Sequence, residues 1–249
     1  MKITFAEKHP YTAIILIGLL CTFLTALGMA VPQIIGLAEK DVYITATGFL
    51  ILSILAGLFI MGKSKRPLKD YGFHKNEKES TKKVWWYLPL VVIEIIPIIM
   101  YGFSSELSVE IYFILALFTI AIGFNEEIYF RGLALKLLEA KGNKAAIAGT
   151  SILFGVLHSA NAFNGKTSFY LILQMFFAFL AGFILAEVVS ITKSLWAPII
   201  WHAAHDFISS TTNGAMDKTE LILLAVQVVI LLVYGIGIWR QSVKQSIPF

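Results

Sequence analysis

Residues 111–134 read IYFILALFTIAIGFNEEIYFRGLA, an apolar run that ends in two adjacent carboxylates and an arginine. A helix crossing a bilayer needs about 20 apolar residues, because it rises about 1.5 Å per residue through hydrocarbon about 30 Å thick. From Ile111 to Phe124 no side chain is charged, and continuing the helix carries Glu126, Glu127 and Arg131 into the same span. A run this apolar reads as a transmembrane helix, and its buried charges read as function.

Working outward, seven more apolar stretches surround it. The predicted spans lie at about 11–35, 42–62, 84–102, 108–135, 145–160, 168–190, 195–211 and 220–239. They are too long and too uniformly apolar for the alternating strands of a barrel, which leaves helices as the spanning element. The expected fold is all-α, a polytopic transmembrane helical bundle of about eight spans, with residues 1–249 forming a single membrane-embedded domain. No internal repeat or low-complexity tract interrupts it.

Composition agrees. Of the 249 residues 57% are hydrophobic and 14% charged, with a mean hydropathy of +0.77. That is far more apolar than a soluble domain. The net charge of +4 does not point to nucleic acid, because the basic residues fall between apolar runs instead of forming one basic face. The single cysteine, Cys21, sits in an apolar run and excludes an intrachain disulfide framework. The first run follows Lys2 and Lys8 in the manner of a signal peptide, but it exceeds the usual 7–15 residues, roughly, of such a core and is expected to remain as a span.

Cytoplasmic loops retain an excess of Lys and Arg. If the N-terminus is inside, only Lys40, Lys166 and Lys218 fall in outer loops, and every other Lys or Arg except Arg131 falls inside. Both termini are therefore expected in the cytoplasm. The loop from Lys63 to Lys83 carries most of this bias; its alternative reading is a dock for anionic lipid or an acidic substrate segment.

Ionisable groups inside a span cost several kcal/mol on insertion scales, roughly, and normally face the bundle interior for a purpose. Three spans concentrate them: Asn125-Glu126-Glu127-Ile128-Tyr129-Phe130-Arg131, Phe154-Gly155-Val156-Leu157-His158, and His202-Ala203-Ala204-His205-Asp206. Glu127 and Arg131 are four apart and share a helix face, as do His202 and Asp206. Glu126 is rotated about 100° from Glu127, free to face a different cavity. Three helices can thus meet at one polar centre.

A carboxylate enclosed by apolar walls is a usable general base for water near neutral pH. Imidazoles can hold that water, and two histidines with a carboxylate are also one form of catalytic zinc site, here Glu126, His158 and His202. Peptide hydrolysis further needs a donor for the developing oxyanion. Other intramembrane protease signatures, H-E-x-x-H, G-x-S-G and G-x-G-D, are missing from the chain.

The ordered set E-E-x-x-x-R, F-x-x-x-H and H-x-x-x-[N/D], each within a predicted span, resembles the CPBP intramembrane proteases, the group of type II CAAX prenyl endopeptidases and bacterial Abi proteins. The resemblance covers about residues 108–211, the expected catalytic core. It implies Glu126 as the base that activates water, Glu127 as its partner and Arg131 as the structural counter-charge. His158 and His202 would position the water, or hold a divalent metal such as zinc if one is used. Asp206 falls where many relatives carry Asn to stabilise the oxyanion. An ionised Asp cannot donate a hydrogen bond, so Asp206 must be protonated, bind metal or orient His202.

The resemblance therefore implies an endopeptidase acting on a membrane-associated peptide or protein. Bacterial origin is expected, with a role in peptide-signal maturation or bacteriocin self-immunity. A non-catalytic immunity or scaffold protein, binding a toxin or sensor protein, is the alternative; a proton-coupled transporter is a third reading, for which no inverted repeat speaks. Glu94 with Pro97 and Glu187 lie in spans without matching a motif, so a kink, a helix contact or a substrate path accounts for them equally; His205, three residues from His202, reads as structural or as a neighbour facing the lumen of the site. Phe154 reads as packing beside the site.

Overall fold

A computed structural model of the chain describes residues 5–64, 66–75, 78–164, 168–213 and 218–244. Lys2, Lys65, Lys166 and the side chain of Lys218, which enter the charge argument, lie outside the described residues. Among the described residues the structure is helical and without strands, apart from one isolated bridge between Phe103 and Thr212. The main helices are α1 (Pro10–Ile34), α2 (Glu39–Lys63), α3 (Leu88–Tyr101), α4 (Val109–Glu127), α5 (Asn143–Leu157), α6 (Ser168–Thr192), α7 (Trp196–Thr211) and α8 (Lys218–Lys244).

Among the described residues six helical stretches are long and apolar enough to cross a membrane: α1, α2, α6, Val109–Lys141, Asn143–Ala162 and Thr219–Lys244. They mark a multi-pass integral membrane protein. The expected count of about eight is corrected by the two short members. Helix α3 has 14 residues and α7 has 16. At about 1.5 Å per residue these are roughly 21 and 24 Å long, short of the roughly 30 Å hydrocarbon core. In α3 the apolar run extends past the helix: Trp85–Tyr87 is a separate 3-10 turn, and Gly102, at φ +67, ends the helix.

Outward faces are apolar and inward ones carry the polar groups, the reverse of a soluble bundle. Ile34, Phe59, Val109, Ile172, Ile200 and Ile236 are exposed, whereas Asn125, Glu127, Arg131 and Glu187 are buried. A lipid surround makes both placements favourable.

Helix α4 begins at Ser108, whose hydroxyl accepts from the Ile111 amide at 3.3 Å. It packs against α7 and α2, while α5 pairs with α6, α6 with α8, and α3 with both α7 and α8. The α4–α7 crossing is close because Gly123 lies there: a Cβ at that position would stand 2.9 Å from both the Ala203 nitrogen and the Ile199 oxygen. Beyond Glu127 the same helix widens into a π-helical segment, Ile128–Ala134, all of it buried. Such wide turns are rare and gather at functional sites. Tyr129 pins this one to α2 by donating its hydroxyl proton to the Ser53 carbonyl at 2.9 Å.

Helix α3 is held by side chains that use its backbone. Pro97 has no N–H to offer the Ile93 carbonyl, and Gln227 of α8 donates to that oxygen instead at 3.0 Å. One turn earlier, Trp201 of α7 donates its indole N–H to the Leu90 carbonyl at 3.1 Å. A helix contact thus accounts for the Glu94–Pro97 region. At the opposite end of α7, the segment around Gly72 docks onto the turn after α6. The Leu195 amide donates to the Gly72 carbonyl at 2.9 Å and the Ser194 hydroxyl to that of His74, also at 2.9 Å.

Candidate active site

The centre of the site is the Glu127 carboxylate, completely buried where α4 meets α7. Its Oε1 accepts from Arg131 Nη1 at 2.9 Å and faces His202 Nδ1, also at 2.9 Å. One oxygen therefore serves two partners, one from the next turn of its own helix and one from α7. With Nδ1–H donated to a carboxylate, the second ring nitrogen of His202 is left for other work.

That second nitrogen meets two more acids. Glu126 Oε2 and Asp206 Oδ2 each lie 3.7 Å from His202 Nε2. The distance is too long for a direct hydrogen bond but short for charge attraction to an imidazolium. The two neighbouring carboxylates, rotated from each other around the helix, face opposite nitrogens of one ring. Buried Glu126 Oε2 has no hydrogen-bond partner among the described side chains. A buried acceptor left this way is where a water molecule is expected to sit.

His158 follows the last turn of α5 and opens the 3-10 segment His158–Asn164. Its Nδ1 donates to the Phe154 carbonyl at 2.9 Å, which leaves Nε2 as an acceptor. Phe154 organises this side of the site. Its ring lies 4.6 Å from the His158 ring and 6.0 Å from that of His202, with the Arg131 guanidinium 4.4 Å from its centroid. Arg131 is thereby fixed by a carboxylate and an aromatic face together.

His158, His202 and Asp206 open on one cavity of about 590 Å³, and Glu126 adjoins it through the edge of His202. The volume is within the range of about 300–1,000 Å³ usual for ligand sites. Candidate residues from three separate stretches are thus assembled at one place: Glu126 and Glu127 from α4 with Arg131 from the π-helical segment that continues it, His158 from the end of α5, His202 and Asp206 from α7. The expected metal set, Glu126, His158 and His202, is not arranged as ligands. Among the described residues no group of three His, Cys, Asp or Glu side chains is disposed to hold an ion. No step is assigned to a metal.

Sequence reasoning did not join His205 to Glu94. His205 Nδ1 stands 3.0 Å from Glu94 Oε1 of α3, and its ring is stacked between Phe177 and Trp201, each 5.1 Å away between centroids. His202 and His205 are thus treated alike: each is gripped at Nδ1 by a carboxylate from another helix. Glu187 lies elsewhere, buried, and accepts from the Ser242 hydroxyl at 3.1 Å.

Residues 108–208 match the family of type II CAAX prenyl endopeptidases described as Rce1-like. The matched segment begins at the Ser108 cap and includes every member of the Glu126–His158–His202 cluster. No curated protein and no solved structure matches the chain.

Proposed function

With residues 108–208 as a domain of that family, we propose that the chain is an intramembrane endopeptidase that hydrolyses a peptide bond in a membrane-associated peptide or protein. The observation that carries this reading is the shared Glu127 oxygen. By holding Arg131 and His202 Nδ1 at once, it leaves His202 Nε2 between Glu126 and Asp206, beside a cavity large enough for a peptide segment.

In the proposed reaction Glu126 takes a proton from a water held beside His202 and His158, and the resulting hydroxide adds to the scissile carbonyl carbon. Asp206 in its protonated form donates to the developing oxyanion. The tetrahedral intermediate collapses with cleavage of the C–N bond, and Glu126 returns its proton to the leaving amine. Glu127 and Arg131 act through His202, fixing its orientation. The substrate is expected to be a peptide anchored in or lying on the bilayer, as in the maturation of a peptide signal.

Purified wild type and Glu126→Gln, reconstituted in liposomes, are to be compared on a library of membrane-associated peptides. Wild type should cleave a subset, and Glu126→Gln should lose at least about 10²-fold in rate while keeping its unfolding midpoint. Equal cleavage by both proteins removes Glu126 from catalysis. Binding without cleavage by wild type favours the non-catalytic scaffold.

A further inference from the structure

Of the catalytic cluster His158, His202 and Asp206 line the cavity; a second set of lining residues, here called the recognition wall, is Glu94 of α3, His205 of α7 and Gln174 of α6. We propose that this wall receives a cationic side chain, Lys or Arg, of the substrate segment. The inference deepens the endopeptidase reading and rests on it, since it assigns specificity at the same site.

Charge comes first. Glu94, Asp206 and Glu220 line the cavity, and among the described residues no Lys or Arg does. The other ionisable groups facing it from α5 and α7 are His158, His202 and His205. With Asp206 protonated, as the proposed reaction requires, Glu94, Glu220 and Glu126 behind His202 still balance the three imidazoles even if every one of them is protonated. Arg131 does not offset that, because it is spent on Glu127. An anionic substrate group would enter against this field and a cationic one with it.

Shape and rigidity come next. Phe169, Tyr170, Phe177 and Trp201 also line the cavity, and aromatic faces attract Lys and Arg once water is excluded. Glu94 is held in place: its partner His205 is clamped between two aromatic rings, one of which, Trp201, is itself tied to the Leu90 carbonyl. A carboxylate fixed in this way recognises a cation without first giving up side-chain freedom. The buried Gln174 Oε1 lines the same space and accepts no hydrogen bond from the described residues, so an acceptor awaits a donor there.

The test uses peptides with an otherwise uncharged apolar segment in which one residue, moved position by position, is Lys, norleucine or Glu. Binding is measured to the full-length Glu126→Gln protein, and cleavage by wild type, in phosphatidylglycerol vesicles, which supply no lipid amine. At one or two positions the Lys peptide should bind about tenfold more tightly than its norleucine twin, and the Glu peptide more weakly than either. Glu94→Gln, which keeps an acceptor for His205, should reduce the Lys preference to about twofold and leave norleucine binding unchanged. Ser209→Lys, at an exposed position on the cavity rim, should reverse the preference toward Glu without touching the core. Equal binding of the three peptides at every position overturns the proposal, as does equal weakening of all of them by Glu94→Gln. If Lys peptides bind selectively but wild type leaves them uncut, the recognition wall stands and the endopeptidase reading fails.

Discussion

Replacing Arg131 with Met tests whether the ion pair at the centre of the site holds the bundle together as well as orienting His202. The guanidinium is 1% exposed and the carboxylate it bonds, at 2.9 Å, is 0% exposed. Removing one partner of a buried pair costs about 3–5 kcal/mol, because the survivor keeps its charge without compensation. Two observations put the expected value at the lower end. Arg131 Nε and Nη2 have no hydrogen-bond partner among the described residues, so the arginine is itself incompletely solvated by the fold, and His202 continues to face Glu127 after the change. A third works the other way: the contact with Phe154 at 4.4 Å is worth about 0.5–2 kcal/mol and methionine recovers only part of it. The expected loss is about 3 kcal/mol. Adding Glu127→Leu should return about 2 kcal/mol of this by removing the stranded charge, yet leave the protein inactive because His202 Nδ1 has lost its anchor. Unfolding in mixed micelles, followed by tryptophan fluorescence as denaturing detergent is added, gives the stabilities. A single variant within about 1 kcal/mol of wild type, or a double variant no more stable than the single, refutes the reasoning.

Three further changes separate site from scaffold. Asp206→Asn supplies a permanent donor and should keep activity within about tenfold of wild type, whereas Asp206→Leu should lose about 10²–10³-fold; equal losses in a cleavage assay would exclude an oxyanion role. Gly123→Ala sets a methyl 2.9 Å from two backbone atoms of α7, which cannot rotate aside. A loss of about 1–3 kcal/mol and a lower turnover should follow, and unchanged unfolding would show that the two helices separate freely. Glu187 lies outside the cluster, and its Oε2 has no hydrogen-bond partner among the described residues. Glu187→Met should therefore keep full activity and gain between zero and about 2 kcal/mol; lost cleavage in a folded protein would give that acid a function.

The helices were legible because lipid demands long apolar runs, and the Glu127–Arg131 bond because four-residue spacing places both on one face. Span number was less so. Hydropathy alone does not reveal that Trp85–Tyr87 and Gly102 cut α3 short, since a backbone turn leaves no mark on apolar content. The convergence of Glu126 and Glu127 on His202 depends on where α7 crosses α4, which is set by Gly123 and invisible in either helix alone. His205 and Glu94 are 111 positions apart, and no local pattern joins them. The one hint was an unmatched acid three residues before a proline, in a chain that otherwise keeps its acids within motifs or near helix ends.

That proline carries a historical consequence. Because Pro97 leaves the Ile93 oxygen without its helical donor and Gln227 fills the vacancy, the two positions form a single unit under selection. A descendant that regains an amide hydrogen at 97 no longer needs a carboxamide at 227, and one that loses the carboxamide first exposes a bare carbonyl. Substitutions at these two sites should therefore be inherited as a pair, a signature that genomes alone can reveal.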